Sequence, residues 1–192
     1  CSLSWRDAAR SDPALDTRAA LVACQCSGKS MGQGRVILHL DADCFFVQVH
    51  VLRDPSLHNR PVAVQQHDDV IAANYSAKAL GVKKHMAPHV ARRLLEAAGG
   101  RLVHVPDDGR PPRTSYRIYR EASESVEDAL RAAIEGNSQV LERGHGMDEW
   151  FVDATRECDG RLERGAELAG LLRQKVRETC GITLSVGVAH NK

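Results

Sequence analysis

The hydrophobic and polar positions of residues 34–192 follow two different periods. Short apolar runs bounded by polar or turn residues predict strands at 36–41, 61–66, 70–74, 101–106, 139–144, 149–155 and 182–189. Apolar residues spaced three or four apart predict helices at 44–54, 75–82, 86–100, 115–136 and 167–181. Pro55, Gly81 and Gly181 mark the ends of three of these helices. The interleaving of strands and helices predicts an α+β fold in which helices cover one face of a sheet.

Two stretches depart from this pattern. In residues 1–33, SDPALDTRAALVA favours a short helix but GKSMGQG is typical of a flexible linker, so we expect a linker or a disordered extension. The composition of DDGRPPR, at 107–113, predicts a loop. The chain begins with Cys, its first methionine is Met31, and it stops directly after an apolar run. We therefore expect a piece of a longer protein.

The composition narrows the class of protein. Hydrophobic residues make up 43% of the chain, which favours a folded domain, and the formal net charge of +1 means that nucleic acid would need a local basic patch. The six cysteines form no CxxC pair, which favours a reduced, intracellular setting. No apolar run approaches the length of a membrane span. The histidines show no zinc-like pairing with cysteines.

Two acidic pairs occur where predicted strands meet turns. Asp41 and Asp43 follow the first strand in LDADCFF, and Asp148 and Glu149 precede a strand in GMDEWFVD. Helix capping would explain the first pair, and the preference of turns for Asp would explain the second. Carboxylates beside a buried strand are costly, however, unless they are neutralised. A divalent cation would neutralise them.

Magnesium suits such a set because it takes hard oxygen ligands, usually a few carboxylates plus substrate phosphates. Two ions roughly 4 Å apart can activate a hydroxyl group and stabilise a leaving pyrophosphate. Asp41, Asp148 and Glu149 are the candidate side-chain ligands, and the backbone carbonyl of Ala42 is a further one. Asp43 is predicted to cap the helix that follows.

A basic and an aromatic group accompany the acids. The stretch NYSAKALGVKKHM supplies Tyr75, Lys78 and Lys84, of which Tyr75 and Lys78 are three apart on one helical face. Lysine and tyrosine both bind phosphate oxygens, although a solvated charged face explains the lysines equally well. Phe46 favours core packing, but above a metal-bound sugar its ring would block a 2′-hydroxyl group.

Taken in order, six motifs of this chain resemble the palm and fingers of Y-family translesion DNA polymerases. They are LDADCFFVQV, PVAVQQ, NYSAKALGVKKHM, SYRIYREAS, VLERGHGMDEWFVD and ITLSVGVAHNK, and together they extend over 36–192. The resemblance implies a palm formed by 34–65 and 106–192, fingers at 66–105, and a thumb and little finger outside this chain.

The resemblance also implies a role for each candidate residue. Asp41, Asp148 and Glu149 would hold two Mg²⁺ ions, with Mn²⁺ as an alternative and the Ala42 carbonyl as a backbone ligand. Phe46 would be the steric gate against ribonucleotides. Tyr75, Lys78 and Lys84 would bind the incoming triphosphate, Gln66 would touch the nascent base pair, and Lys192 would lie near the phosphates. Three residues differ from the family pattern: Lys78 replaces an arginine, His50 replaces an acid, and His67 stands where some members have lysine.

The implied activity is template-directed transfer of deoxynucleotides onto a primer 3′-hydroxyl opposite damaged templates, in the nucleus. The implied partners are primer–template DNA, deoxynucleoside triphosphate and a sliding clamp that would bind regions outside this chain. Two alternatives stay open. The chain could be a catalytically incompetent fragment that binds only nucleotide and metal, or a nucleotidyl cyclase palm, which GMDEW faintly resembles.

Overall fold

The computed structural model describes residues 34–108, 113–134 and 141–192. Predictions for 1–33, 109–112 and 135–140 therefore lie outside the described residues. The strands are β1 Ile37–Ala42, β2 Val62–Gln66, β3 Asp69–Ala73, β4 Arg101–His104, β5 Asp107–Asp108, β6 Arg113–Thr114, β7 Leu141–Arg143, β8 Glu149–Asp153 and β9 Leu184–Ala189. The helices are α1 Phe45–Arg53, α2 Tyr75–Ala79, α3 Pro88–Ala97, α4 Arg117–Ala133 and α5 Leu162–Cys180, with a 3₁₀ turn at Pro55–Leu57.

The main sheet has the strand order β7-β8-β1-β9, and β1 pairs antiparallel with both β8 and β9. Side chains alternate between its faces, because successive residues of a strand point to opposite sides. One face carries buried residues that pack with α4 and α5 in a single core: Leu38, Leu40, Trp150 and Val152. Gly165 of α5 allows close approach there, since a Cβ at this position would lie 2.7 Å from Val36 Cγ1.

A second sheet, of order β3-β2-β4, lies beside helix α3. β2 pairs antiparallel with β3 and parallel with β4. Its small core combines short and medium apolar side chains from both sheet and helices: Ala63, Val70, Ala73, Ala77, Val82, Ala91 and Leu95. Helix α1 contacts β2, β3 and α4, so it joins this sheet to the rest of the molecule. The division into palm and fingers stays a prediction.

The α+β architecture with helices on one face of the main sheet is confirmed. Two local expectations need correction. The stretch 107–113, predicted to be a loop, contributes to a short antiparallel pair in which Asp107 faces Thr114 and Asp108 faces Arg113. Helix α5 begins at Leu162, before the expected start at 167. It ends at Cys180 and is closed by Gly181 with φ 72°, as predicted. Among the described helices, none has the length and apolar character needed to cross a membrane.

Candidate active site

The strand register places two of the three candidate carboxylates directly opposite each other. Asp41 of β1 faces Glu149 of β8. The next pair is hydrogen-bonded, because the Ala42 N–H donates to the Asp148 carbonyl at 2.8 Å. Hydrogen-bonded and non-hydrogen-bonded pairs alternate in an antiparallel ladder, so Asp41 and Glu149 form a non-hydrogen-bonded pair, in which side chains lie closer together. The acids that the sequence separates by more than a hundred positions therefore meet on one face of the sheet.

Asp148 shares the electrostatic environment of this pair. Partial burial raises the pKa of Asp41, and the charges of Asp148 and Glu149 raise it further. Burial also raises the pKa of Asp148, against the lowering effect of its own backbone N–H, and Glu149 raises it again. Burial first, and then the crowding of like charges, therefore disfavour the ionised forms of Asp41 and Asp148.

The donor chemistry fits a hard divalent cation. Asp41, Asp148 and Glu149 offer carboxylate oxygens, which are the ligands that Mg²⁺ prefers. Within 34–108, 113–134 and 141–192, no three carboxylate, imidazole or thiol side chains are already arranged closely enough to form a metal-ligand group. The carboxylates would therefore need side-chain rotations to share an ion.

Two glycines of the β7–β8 hairpin make room for the acids. A Cβ at Gly144 would lie 2.7 Å from Glu149 Cβ, closer than real Cβ atoms come. A Cβ at Gly146 would collide with the Asp148 carboxylate. The sequence predicts a turn at GHGM, and the role of its glycines was missed. The signal for that role is the spacing of Gly144 and Gly146 immediately before the acidic pair.

Asp43 does not cap α1, so that prediction is wrong. The helix is preceded by Cys44 in a left-handed conformation (φ 48°), and no side chain caps its N-terminus. The Asp43 carboxylate accepts a hydrogen bond from Ser185 Oγ at 2.5 Å instead. Asp43 also raises the pKa of Asp41, although burial and the other two acids act more strongly. Asp43 thus lies beside the acidic cluster and is tied to β9.

The predicted phosphate-binding side chains lie across from the acids. Lys78 Nζ is 4.9 Å from the centre of the Tyr75 ring, which confirms that the two share a face of α2. Lys78 Nζ also approaches Cys44 Sγ at 3.7 Å, next to the acidic strand end. The Asp43 carboxylate is the main cause of the raised pKa of Tyr75. Lys84 is close enough to Asp148 to lower the pKa of that carboxyl.

Phe46 and Gln66 belong to an aromatic cluster beside the site. The Phe46 ring packs 4.6 Å from the Tyr119 ring and 6.3 Å from the Tyr116 ring, between centroids. The Tyr116 hydroxyl donates to Gln66 Oε1. Phe46 is only partly buried against the core, so its ring contributes to packing and keeps an exposed part. Sequence reasoning did not single out Tyr119.

Lys192 lies beside Phe151, whose side chain is on the same face of the main sheet as Asp41 and Glu149. Its Nζ pairs with Glu142 and is 5.2 Å from the centre of the Phe151 ring. Phe151 in turn stacks on His39 with a centroid distance of 4.7 Å. The structure therefore does not bring Lys192 together with the lysines of the NYSAKALGVKKHM stretch in direct contact, and its role near phosphates stays a prediction.

Comparison with known proteins gives consistent matches. The model of the impB/mucB/samB family matches residues 40–192. DNA polymerase kappa of Arabidopsis thaliana is 34% identical, over 82% of this chain and 21% of its own length. DNA polymerase iota of Homo sapiens is 32% identical, over 82% of this chain and 24% of its own length. Two features of the sequence predict a similarity to DNA polymerase iota, with DNA polymerase eta next: the short link from PVAVQQ to VIAANYSAKALGVKKHM and the form G-x-DE-x-FVD of the second acidic motif. Matches to both polymerases are found.

Solved structures agree with these matches. The crystal structure of DinB from Sulfolobus solfataricus has a TM-score of 0.66 and 29% identity, and the match covers 82% of this chain and 42% of DinB. The chain thus spans about a fifth to a quarter of the two curated relatives and 42% of DinB. A family match over most of the chain shows that this chain belongs to the impB/mucB/samB family, that of the Y-family polymerases.

Proposed function

We propose that this chain is the palm and fingers part of a translesion DNA polymerase, which binds a deoxynucleoside triphosphate and adds its nucleotide to a primer 3′-hydroxyl. The observation that carries the proposal is the pairing of Asp41 with Glu149, with Asp148 beside them, Lys84 near Asp148, and Lys78 in contact with Cys44 next to the acidic strand end. Family membership supports the class of reaction. Primer–template DNA, a sliding clamp bound through regions outside this chain, and a nuclear location belong to the same proposal.

Each residue has a part in the proposed reaction. Asp41, Asp148, Glu149 and the Ala42 carbonyl would hold Mg²⁺, or Mn²⁺ as an alternative, in two sites. Bound there, the ions would lower the pKa of the primer hydroxyl and stabilise the leaving pyrophosphate.

The remaining side chains act on the nucleotide. Tyr75, Lys78 and Lys84 neutralise and orient the triphosphate, since ammonium and phenol groups donate hydrogen bonds to phosphate oxygens. Phe46 excludes a 2′-hydroxyl and Gln66 contacts the nascent base pair. Lys192 would have to leave Glu142 to reach a phosphate.

Equilibrium binding tests the nucleotide and metal part of the proposal. Purified chain should bind dATP in Mg²⁺ and lose that affinity in EDTA. The double variant Asp148→Ala, Glu149→Ala should lose Mg²⁺-dependent binding while it keeps the wild-type circular dichroism spectrum. Unchanged binding by the folded double variant would contradict the metal assignment.

A second candidate is a fragment that binds nucleotide and metal without holding DNA. The near-neutral charge of +1 favours it, because affinity for DNA depends mainly on contacts to phosphates. A gel-shift assay with duplex DNA at low salt, followed by primer extension with the chain in excess, separates the two. Tight duplex binding or extension favours the polymerase. Nucleotide binding without either favours the fragment.

A further inference from the structure

Tyr119 of α4 contacts two successive turns of α1. Its ring lies 4.6 Å from the Phe46 ring, and its hydroxyl lies 2.7 Å from Nε2 of His50. Phe46 and His50 are four residues apart, so they occupy the same face of the helix. One buried side chain therefore fixes the Phe46 ring relative to the helix that carries it.

The hydrogen bond determines where the Tyr119 ring can sit. Tyr119 is completely buried, and a buried hydroxyl group that loses its partner is destabilising. Burial lowers the pKa of His50, which keeps the imidazole neutral at pH 7. The Tyr119 ring is thus held by this bond at its hydroxyl end and by two rings that are tilted against it, Phe46 at a centroid distance of 4.6 Å and Phe45 at 6.5 Å.

We propose that Tyr119 and His50 are positioning residues for Phe46 and set how strongly the site prefers deoxyribose over ribose. This inference rests on the proposed function. Repulsion between a ring and a 2′-hydroxyl changes steeply over tenths of an ångström, so a small shift of Phe46 changes selectivity. Because burial favours the neutral imidazole of His50, its bond to the Tyr119 hydroxyl joins two neutral groups.

The test compares the dissociation constants of the full chain for ATP and dATP in Mg²⁺ by calorimetry. Tyr119→Phe keeps the ring and removes the hydroxyl. We expect the ratio of the ATP to the dATP constant to fall by about two- to tenfold, the range that one net hydrogen bond spans, through tighter ATP binding. His50→Leu should have the same effect. His50→Gln should keep the wild-type ratio, because the glutamine amide can bond to the Tyr119 hydroxyl.

Val126→Ala is the matched control for loss of stability. Val126 is fully buried on α4, beyond Tyr119 along the helix, and its truncation leaves a small cavity. This variant should melt at a lower temperature and keep the wild-type ratio. The positioning role is overturned if Tyr119→Phe keeps the wild-type ratio, or if Val126→Ala lowers it equally. Failure of the wild-type chain to bind dATP in Mg²⁺ would instead overturn the proposed function, and this inference with it.

Discussion

The acidic and the cationic halves of the candidate site are held by different kinds of structure. Asp41 and Glu149 lie opposite each other in the main sheet, where the ladder fixes both backbones. Tyr75 and Lys78 lie on α2, a helix of five residues, and the Tyr75 side chain is 68% exposed. Strand register between distant parts of the sequence positions the acidic half, and a short local helix positions the cationic half.

This difference matches what each half has to do. Like charges repel, so carboxylates stay together only where the fold holds their backbones. Cationic side chains face no such penalty near a triphosphate, and a flexible lysine can follow the phosphate as it binds. We therefore expect substitutions in the acidic half to act through metal affinity and local strain, and those in the cationic half to act through nucleotide affinity alone.

Asp41→Asn should have the largest effect, since it removes a charge from the rigid half while keeping the side-chain shape. We expect Mg²⁺-dependent dATP binding to weaken by about a hundredfold, because charges about 4 Å apart interact by roughly 4 kcal/mol at an effective dielectric constant of about 20 and the other ligands remain. Calorimetric titration with dATP, in Mg²⁺ and in EDTA, measures this.

The same variant should be more stable than the wild type without metal. Burial and the neighbouring acids raise the pKa of Asp41 above 3.8 in the folded state, so its contribution to stability is present at low pH and is lost as pH rises through the folded pKa. Asparagine has no charge to lose. Asp41→Asn should thus melt higher than the wild type in EDTA at pH 7, gain less from Mg²⁺, and lose its advantage in acid.

Asp153→Asn is the control for this prediction. Asp153 of β8 lies on the face of the main sheet that also carries Asp41 and Glu149. Its carboxylate, however, pairs with Arg35 at 2.7 Å, and its pKa is lowered, chiefly by a hydrogen bond from Thr155. Its loss should reduce metal-free stability and leave the Mg²⁺ response intact. Equal behaviour of the two variants would mean that Asp41 has no special relation to the metal.

Gly144→Ala should have the next largest effect on Mg²⁺-dependent dATP binding, because it adds a methyl group 2.7 Å from Glu149 Cβ. Overpacking of this kind costs roughly 1–3 kcal/mol, and the displaced Glu149 should weaken Mg²⁺-dependent dATP binding by about tenfold. Gly170→Ala makes the same chemical change on α5, where nothing lies within 4 Å, and should stabilise the helix slightly. Thermal melts and dATP titrations of both variants test whether hairpin geometry controls the acids.

The sequence was sufficient for the parts of the site that depend on local pattern. The end of an apolar strand located Asp41, and helical spacing placed Tyr75 with Lys78. It could not reveal contacts that only the fold creates. Asp43 bonds to Ser185, 142 positions away, and His50 bonds to Tyr119, 69 positions away. No local signal marks such pairs, so Asp43 was mistaken for a cap and Tyr119 was overlooked.

Lys78→Ala probes the cationic half. We expect dATP affinity to fall by about tenfold and the Mg²⁺ affinity of the nucleotide-free chain to stay unchanged, since a charge-assisted hydrogen bond to phosphate is worth roughly 1.5–3 kcal/mol and solvent reduces it here. Lys78→Arg should match or exceed the wild type, because guanidinium binds phosphate bidentately. Lys83→Ala, an exposed neighbour, is the control and should change dATP affinity less than twofold or so. An equal loss at Lys83 would indicate only a diffuse charge effect.

Asn74→Ala should have the smallest effect on dATP binding. It tests whether dATP binding requires α2 to be fixed by its N-terminal cap. The Asn74 Oδ1 accepts from the N–H of Ala77 at 2.9 Å and of Val62 at 3.1 Å, and its Nδ2 donates to the Arg60 carbonyl at 2.8 Å. Loss of this cap should cost about 1 kcal/mol of unfolding free energy and weaken dATP binding only about twofold. Urea unfolding and dATP titration measure the two effects. A tenfold loss of affinity would mean that Lys78 depends on a fixed helix as strictly as Glu149 depends on its hairpin, and the contrast between the halves would fail.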